Sequence, residues 1–225
     1  MVSIIGGILC LDRVVVQAMI SRPIVSAPLI GFILGDPYTG LIAGAFVELF
    51  WIDRLPIGAY IPPNDSIVGI LITGSCIGTA GLIGNLPDGL IVLAMLLLLP
   101  LGNMAQRMEL WLIAKNEGLA REALMNGLDG DIRSISKAHL TAMARYYLLS
   151  CGFILLALPA STALLTWFYP RLGPVIVRAL DVVFTLLPLI GAGVVLNTIN
   201  MRGMIPIFCA VFLITTAIMS FLKGV

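Results

Sequence analysis

Apolar runs about 20 residues long recur through this sequence and constrain its fold more than any other feature. A helix that crosses a bilayer needs about 20 mostly apolar residues, because the hydrocarbon core is about 30 Å thick and each residue rises about 1.5 Å. Residues 66–84, 88–106, 146–168 and 204–222 meet that demand plainly, and 180–199 adds a fifth stretch. Of 225 residues, 60% are apolar and 11% charged. A soluble domain is about half apolar and about a quarter charged. Soluble enzymes, disordered linkers and secreted disulfide scaffolds are therefore excluded. The formal charge of +1 gives no field for gripping nucleic acid. The chain reads as an all-α, polytopic membrane protein.

The first 65 residues are apolar but broken. Pro23, Pro28, Pro37, Pro56, Pro62 and Pro63 cut them into short pieces, helped by Gly31, Gly35, Gly40, Gly44 and Gly58. Helical pieces of about 10–14 residues suit re-entrant or interfacial segments better than spans. Broken backbone at membrane depth is tolerated where protein buries it or where it lines a watery cavity, and transporters build sites from such segments. The N-terminus carries Asp12 and Arg13 after its apolar start and has no basic leader, so a cleaved signal peptide is not expected. Cys10, Cys76, Cys151 and Cys209 lie singly in apolar runs and read as buried, inert thiols. The small residues of ILITGSCIGTAGLIG suit close helix packing in lipid, and Pro100 is expected to kink its helix without ending it.

Residues 107–145 are the polar stretch and hold six of the thirteen basic residues, which assigns them to the cytoplasm. Two short amphipathic helices broken around residues 126–131 are expected there, with a plain solvated connector as the alternative. The single domain thus divides into a broken-helix region (1–65), transmembrane helices (66–106), a cytoplasmic helical connector (107–145) and transmembrane core helices (146–225).

No metal-binding, phosphate-cradling or nucleophile-base motif is visible, and neither cofactor nor metal is expected. His139, the single histidine, reads as solvent-facing or helix-capping. Glu48, in LIAGAFVELFW, carries more information: an ionised carboxylate in apolar surroundings is costly and is functional by default, with a snorkelling position or a pair with Arg54 as alternatives. Asp36, in LGDPYTG, suits a turn or helix cap at least as well as solute contact. The run IGAYIPPND offers Gly58, Ala59, Pro63, Asn64 and Asp65 as a substrate loop, its Asn and Asp able to bind hydroxyls, or as a surface turn. Asn197 and Asn200 suit helix bridging first and solute binding second. Arg178 and Asp181 are spaced to pair on a helix. Trp51, Trp111, Trp167 and Tyr169 read as interfacial anchors.

The ordered set Arg22-Pro23, Leu34-Gly35-Asp36, Thr39-Gly40, Gly44, Glu48, Ile57-Gly58-Ala59 and Pro63 resembles the N-terminal signature of a known family. That family is the IIC sugar-channel subunit of bacterial phosphoenolpyruvate-dependent phosphotransferase systems, of the mannose/fructose/sorbose type. LIGAGVVLNTINMRGMIPIF is similar to its C-terminal core, with Gly191 and Asn197 in matching places. The resemblance implies a multi-pass protein of the bacterial cytoplasmic membrane that forms a pore with a IID subunit, in a trimeric assembly. Cytoplasmic IIA and IIB subunits would relay phosphate to the emerging sugar, and IIC itself would not be an enzyme. It also implies sugar contacts in the region of Glu48 and the 58–64 loop.

The chain departs from the family pattern at Pro56, where many relatives carry Asn. It also departs at Pro63-Asn64, where Pro-Asp is common, and at Arg54. The substrate set read here is Glu48, Gly58, Ala59, Pro63, Asn64 and Asn197, binding a hexose-type sugar. A diverged, non-transporting scaffold or sensor that recruits phosphotransferase proteins is the rival reading. An ion-coupled transporter using Asp36, Glu48 and Asp181 is the third.

Overall fold

The computed structural model describes residues 1–54, 58, 60–128, 131–199 and 203–223, with the side chains at 190, 195–199, 204, 205, 219, 220, 222 and 223 left undescribed. The described residues form helices and turns with no strand. In chain order the helices are α1 (Val2–Leu11), α2 (Pro23–Leu34), α3 (Pro37–Phe50), α4 (Asp65–Ile83), α5 (Asp88–Leu128), α6 (Ile132–Phe168), α7 (Pro174–Ile199) and α8 (Met204–Lys223). A 3-10 turn, Tyr169–Arg171, follows α6.

The broken region is cut into short pieces as expected, here three helices, two of them opened by proline. Pro23 opens α2, and Gly35 ends it in the left-handed region at φ +91°. Asp36 then caps α3, its carboxylate accepting from the Thr39 N–H at 3.0 Å. Twelve and fourteen residues make helices of about 18 and 21 Å, too short to cross a core of about 30 Å. The two pack against each other as a helical hairpin. Its arms approach closely: a Cβ on Gly40 would stand 2.5 Å from the Ala27 carbonyl oxygen, so only glycine fits.

The central helix is α4. Val68, Ile70, Leu71, Ile72, Thr73, Ser75 and Cys76 are all fully buried, surrounded by α2, α3, α5 and α6. Its small residues take up the α6 side chains as the composition anticipates: Gly74 lies against Leu158, Gly78 against Thr162, and the Ser75 and Ser161 hydroxyls bond at 2.6 Å. Helix α1 packs antiparallel on α6, Gly6 against Ile154 and Gly7 against Tyr147 and Cys151.

Among the described residues four helices are long and apolar enough to cross a membrane: α4, α5, α6 with its turn, and α7 through Val194. The fifth stretch, expected at 180–199, is α7 and begins earlier, at Pro174. Helix α8 covers the 204–222 stretch, with Pro206–Ile218 as its apolar part.

The polar stretch differs from expectation. It is not a pair of short amphipathic helices but the continuous ends of α5 and α6, which run for 41 and 37 residues. At about 1.5 Å per residue these measure about 61 and 55 Å, well beyond the hydrocarbon core. Helix α5 continues through Pro100 and into residues rich in Ala, Leu, Glu, Lys and Arg, which favour helix. The expected break is where α5 ends at Leu128 and Asp131 caps α6, accepting from the Arg133 and Ser134 N–H groups.

Three smaller expectations are corrected. Asp181 does not pair with Arg178: it accepts the Gly89 N–H at 3.0 Å at the start of α5, while Arg178 is exposed. Trp51 does not stand free as an anchor; its ring packs on Gly102. Cys10 and Cys76 are buried as read, but Cys151 is half-buried and Cys209 exposed.

Candidate functional site

The site begins where α1 stops. Asp12 is buried, and its carboxylate accepts from the Ala18 N–H at 2.8 Å, the Ser21 N–H at 3.0 Å and the Ser21 hydroxyl at 3.1 Å. Burial works to raise the Asp12 carboxyl, but these donors outweigh it and hold the group below the usual carboxylate range. They organise the 12–22 loop, in which Gln17 and Met19 take left-handed backbone at φ 55° and 62°. That conformation is uncommon outside glycine and persists when the surroundings enforce it. The loop delivers two guanidinium groups, Arg13 at its start and Arg22 at the foot of α2.

Arg13 reaches across to the 61–65 segment. It donates to Asp65 Oδ1 at 2.7 Å and to the Pro62 and Pro63 carbonyls at 3.2 and 3.4 Å. Its Nε stands 3.9 Å from Glu109 Oε1. Burial disfavours the Arg13 charge, but the Asp65 and Glu109 carboxylates reverse this and raise its pKa, so it stays protonated. Glu109 Oε1 also accepts from Asn64 Nδ2 at 2.7 Å and from the Tyr146 hydroxyl at 2.5 Å. The cluster ties the end of α1 to the start of α4, to α5 and to α6. Its neighbour is a second ion pair: Arg22 donates to Glu48 Oε1 at 2.5 Å and joins the feet of α2 and α3.

Both clusters face one cavity of about 740 Å³, lined from the 12–22 loop, the end of α3, the 61–66 segment, α5 and α6. Cavities that hold small ligands run from about 300 to 1,000 Å³. Charged and polar groups here include Arg13, Arg22, Glu48, Asp65, Glu109 and Tyr146, with His139 and Asn116 on the α5–α6 side. Glu48 Oε2 and Glu109 Oε2 are buried and have no hydrogen-bond partner among the described residues. An unpaired buried acceptor costs about 1–3 kcal/mol, and more when charged. Among the described residues no three His, Cys, Asp or Glu side chains converge as a metal site.

The residues singled out from sequence fall in different places. Glu48 stands in the cavity wall, paired with Arg22 and not with Arg54, which meets Asp53 at 3.5 Å. Pro63 and Asn64 lie buried behind the wall. Asn64 is 0% exposed and its carboxamide is engaged at both ends: Oδ1 caps α4 by accepting from the Ile67 N–H at 3.0 Å, and Nδ2 donates to Glu109. Gly58 is exposed, with φ +64°. Ala59 lies outside the described residues, as do Asn200 and the side chain of Asn197; Gly191 packs on Leu49 of α3. Asp36 is a cap, as its turn context suggests.

Sequence reasoning singled out Asp65 within the 57–65 run and missed Arg13, Glu109 and Tyr146 as cavity groups. Two signals were available. Charges at 12 and 13 abut an apolar helix, and Glu109 stands at the border where the apolar stretch of α5 turns polar.

With this geometry in hand, comparison with known proteins is informative. The family described as "PTS system sorbose-specific IIC component" matches residues 1–223. The chain is 25% identical over 211 residues to a fructose permease IIC component of Bacillus subtilis 168, covering 94% of this chain and 76% of that one. It is 21% identical to the mannose-specific EIIC component of Escherichia coli K12, covering 98% and 80%. A local match to N-acetylgalactosamine permease IIC component 1 of Escherichia coli K12 is 44% identical over 52 residues, and spans only 23% of this chain and 20% of that protein. In fold the chain is similar to a chain of the mannose transporter ManYZ complexed with microcin E492, with a TM-score of 0.62 at 19% identity, covering 99% of this chain and 91% of that one.

Proposed function

The chain belongs to the sorbose-specific IIC family of phosphotransferase systems, and from that membership we propose that it binds a hexose-type sugar in the cavity beneath the α2–α3 hairpin and passes it across the membrane. It is a permease component and a multi-pass protein of the cytoplasmic membrane. Its partners in this reading are a IID membrane subunit, in a trimeric assembly, and cytoplasmic IIA and IIB phosphocarriers. Phosphoryl transfer belongs to those carriers, so the chain contributes binding and passage and no catalysis.

One observation carries the reading. Glu48 stands in the wall of a polar cavity with one oxygen on Arg22 and the other buried without a partner among the described residues. A carboxylate accepts from sugar hydroxyls, and a guanidinium donates to their oxygens, so the pair offers both halves of hydroxyl recognition. Gly58 and Ala59 would add backbone groups. Pro63 and Asn64 would shape the wall from behind, and Asn197 would approach from α7. Because Glu48 and Arg22 sit at the feet of one hairpin, movement of that hairpin moves the site, which is the requirement for alternating exposure.

The test is sugar binding by the chain reconstituted with its IID partner, in wild type and in Glu48→Gln. The variant keeps the shape and removes the charge, and a loss of about tenfold or more is expected. Equal binding by the two would refute the role of Glu48. The rival reading, a non-transporting scaffold or sensor, draws support from Asn64, whose amide is committed within the protein. It predicts recruitment of phosphocarriers with no sugar uptake at all.

A further inference from the structure

We propose that Glu109 is a second carboxylate contact for the sugar, presented from α5 opposite the hairpin, and that Asn64 and Tyr146 are its positioning residues. The inference rests on the reading of the cavity as a sugar site. Glu109 is 6% exposed, yet it borders the cavity. Its Oε1 is held by two donors, Asn64 Nδ2 and the Tyr146 hydroxyl, so the carboxylate is fixed in direction. Its Oε2 is buried and has no partner among the described residues.

The described neighbours do not supply that partner. Arg13 donates to Asp65 and to the Pro62 and Pro63 carbonyls, and its Nε stands 3.9 Å from the other oxygen, Oε1. Asn64 donates to Glu109 Oε1 and caps α4 with its oxygen, and at 0% exposed it lies behind the wall, out of reach of a hydroxyl in the cavity. The hydrogen-bonding capacity of the 58–65 loop is thereby relayed to Glu109. A neutral polyhydroxyl ligand suits this atom: the Arg13 charge already faces Asp65 and Glu109, and a hydroxyl donates one hydrogen bond without adding charge. A sugar held by Glu48 and Glu109 together would bridge the hairpin to the long α5–α6 pair, the two walls that must part for release.

The experiment measures affinities of the membrane complex, purified through the full chain, for mannose, fructose, N-acetylgalactosamine and the monodeoxy series of mannose. In Glu109→Gln the amide oxygen can keep the Asn64 and Tyr146 bonds, which leaves an N–H donor where Oε2 was. Deleting the one hydroxyl that meets Oε2 is expected to cost wild type about 10- to 100-fold in affinity. In Glu109→Gln the parent sugar weakens by a similar factor, and that same deoxy sugar costs nothing further, while the other deoxy penalties persist. A uniform fall for every sugar marks a purely structural role and overturns the inference.

Should Glu109→Gln fail to fold, Glu109→Asp keeps the charge on a shorter arm and must shift the same single penalty. Tyr146→Phe, with Glu109 intact, is expected to weaken binding by a few-fold. If no sugar binds wild type, the sugar reading falls and this inference falls with it. If sugars bind and Glu48→Gln weakens them while Glu109→Gln changes neither affinity nor penalty, only this inference falls.

Discussion

At the scale of single residues, the acid that matters most to local order is Asp12. It gathers the Ala18 and Ser21 donors and stabilises a loop with two strained residues, Gln17 and Met19. Asp12→Asn removes the charge from those bonds and is expected to cost about 1–3 kcal/mol, read as a lower melting temperature and faster proteolysis within 12–22. Because the folded Asp12 titrates below its ordinary range, its stabilisation is complete above that range and disappears as pH falls through the lowered value. Wild type should therefore loosen in this loop on acidification below about pH 4, and the Asn variant should lose that dependence. Glu48 was legible from sequence because a carboxylate amid apolar neighbours stands out locally. Arg13 was not: its partner Asp65 is 52 positions away, and no local pattern encodes that distance. Asn64 shows the opposite limit, since a cap and a ligand read alike in a Pro-Pro-Asn-Asp run.

At the scale of elements, proline and glycine punctuation marked α2 and α3 well, because chain breaks are local events. The α5 and α6 helices were misread for a different reason. A change from apolar to polar residues was taken as an element boundary, whereas intrahelical hydrogen bonds are indifferent to what the side chains face. The hairpin supplies a sharp test. Gly40→Val places atoms where the Ala27 carbonyl lies, and overpacking should cost about 3 kcal/mol, seen as loss of monodisperse protein after mild heating. Gly81→Ala, in α4 with nothing within 4 Å, is the control and should be neutral or slightly stabilising. The Ser75–Ser161 hydroxyl pair joins α4 to α6, and a double-alanine cycle should give a coupling of about 0.6 kcal/mol. A coupling of zero would mean that shape alone holds these helices together.

At the scale of the whole molecule, the bundle places a charged cavity at the level where α5 and α6 leave their apolar stretches, and the 107–145 charge bias predicts the cytoplasmic side for that level. Topology and site can then be tested together by cysteine labelling. His139 is exposed and borders the cavity, whereas Ile132, 75% exposed and about two turns closer to the start of the same helix, does not line it. With Cys151 and Cys209 changed to Ser, the remaining native thiols, Cys10 and Cys76, are buried and should stay silent. His139→Cys and Ile132→Cys should both react with an impermeant maleimide in inside-out vesicles and not in right-side-out ones. A sugar that binds should slow labelling at 139 severalfold and leave 132 unchanged, because only the first site shares the cavity. Labelling from the opposite face would reverse the orientation, and equal protection at both positions would mean that the sugar acts elsewhere on the α5–α6 pair. Protection at 139 that survives in wild type but is lost in Glu48→Gln would connect the carboxylate at the foot of the hairpin to the helix on the far wall. A substrate held between two moving parts has to make that connection.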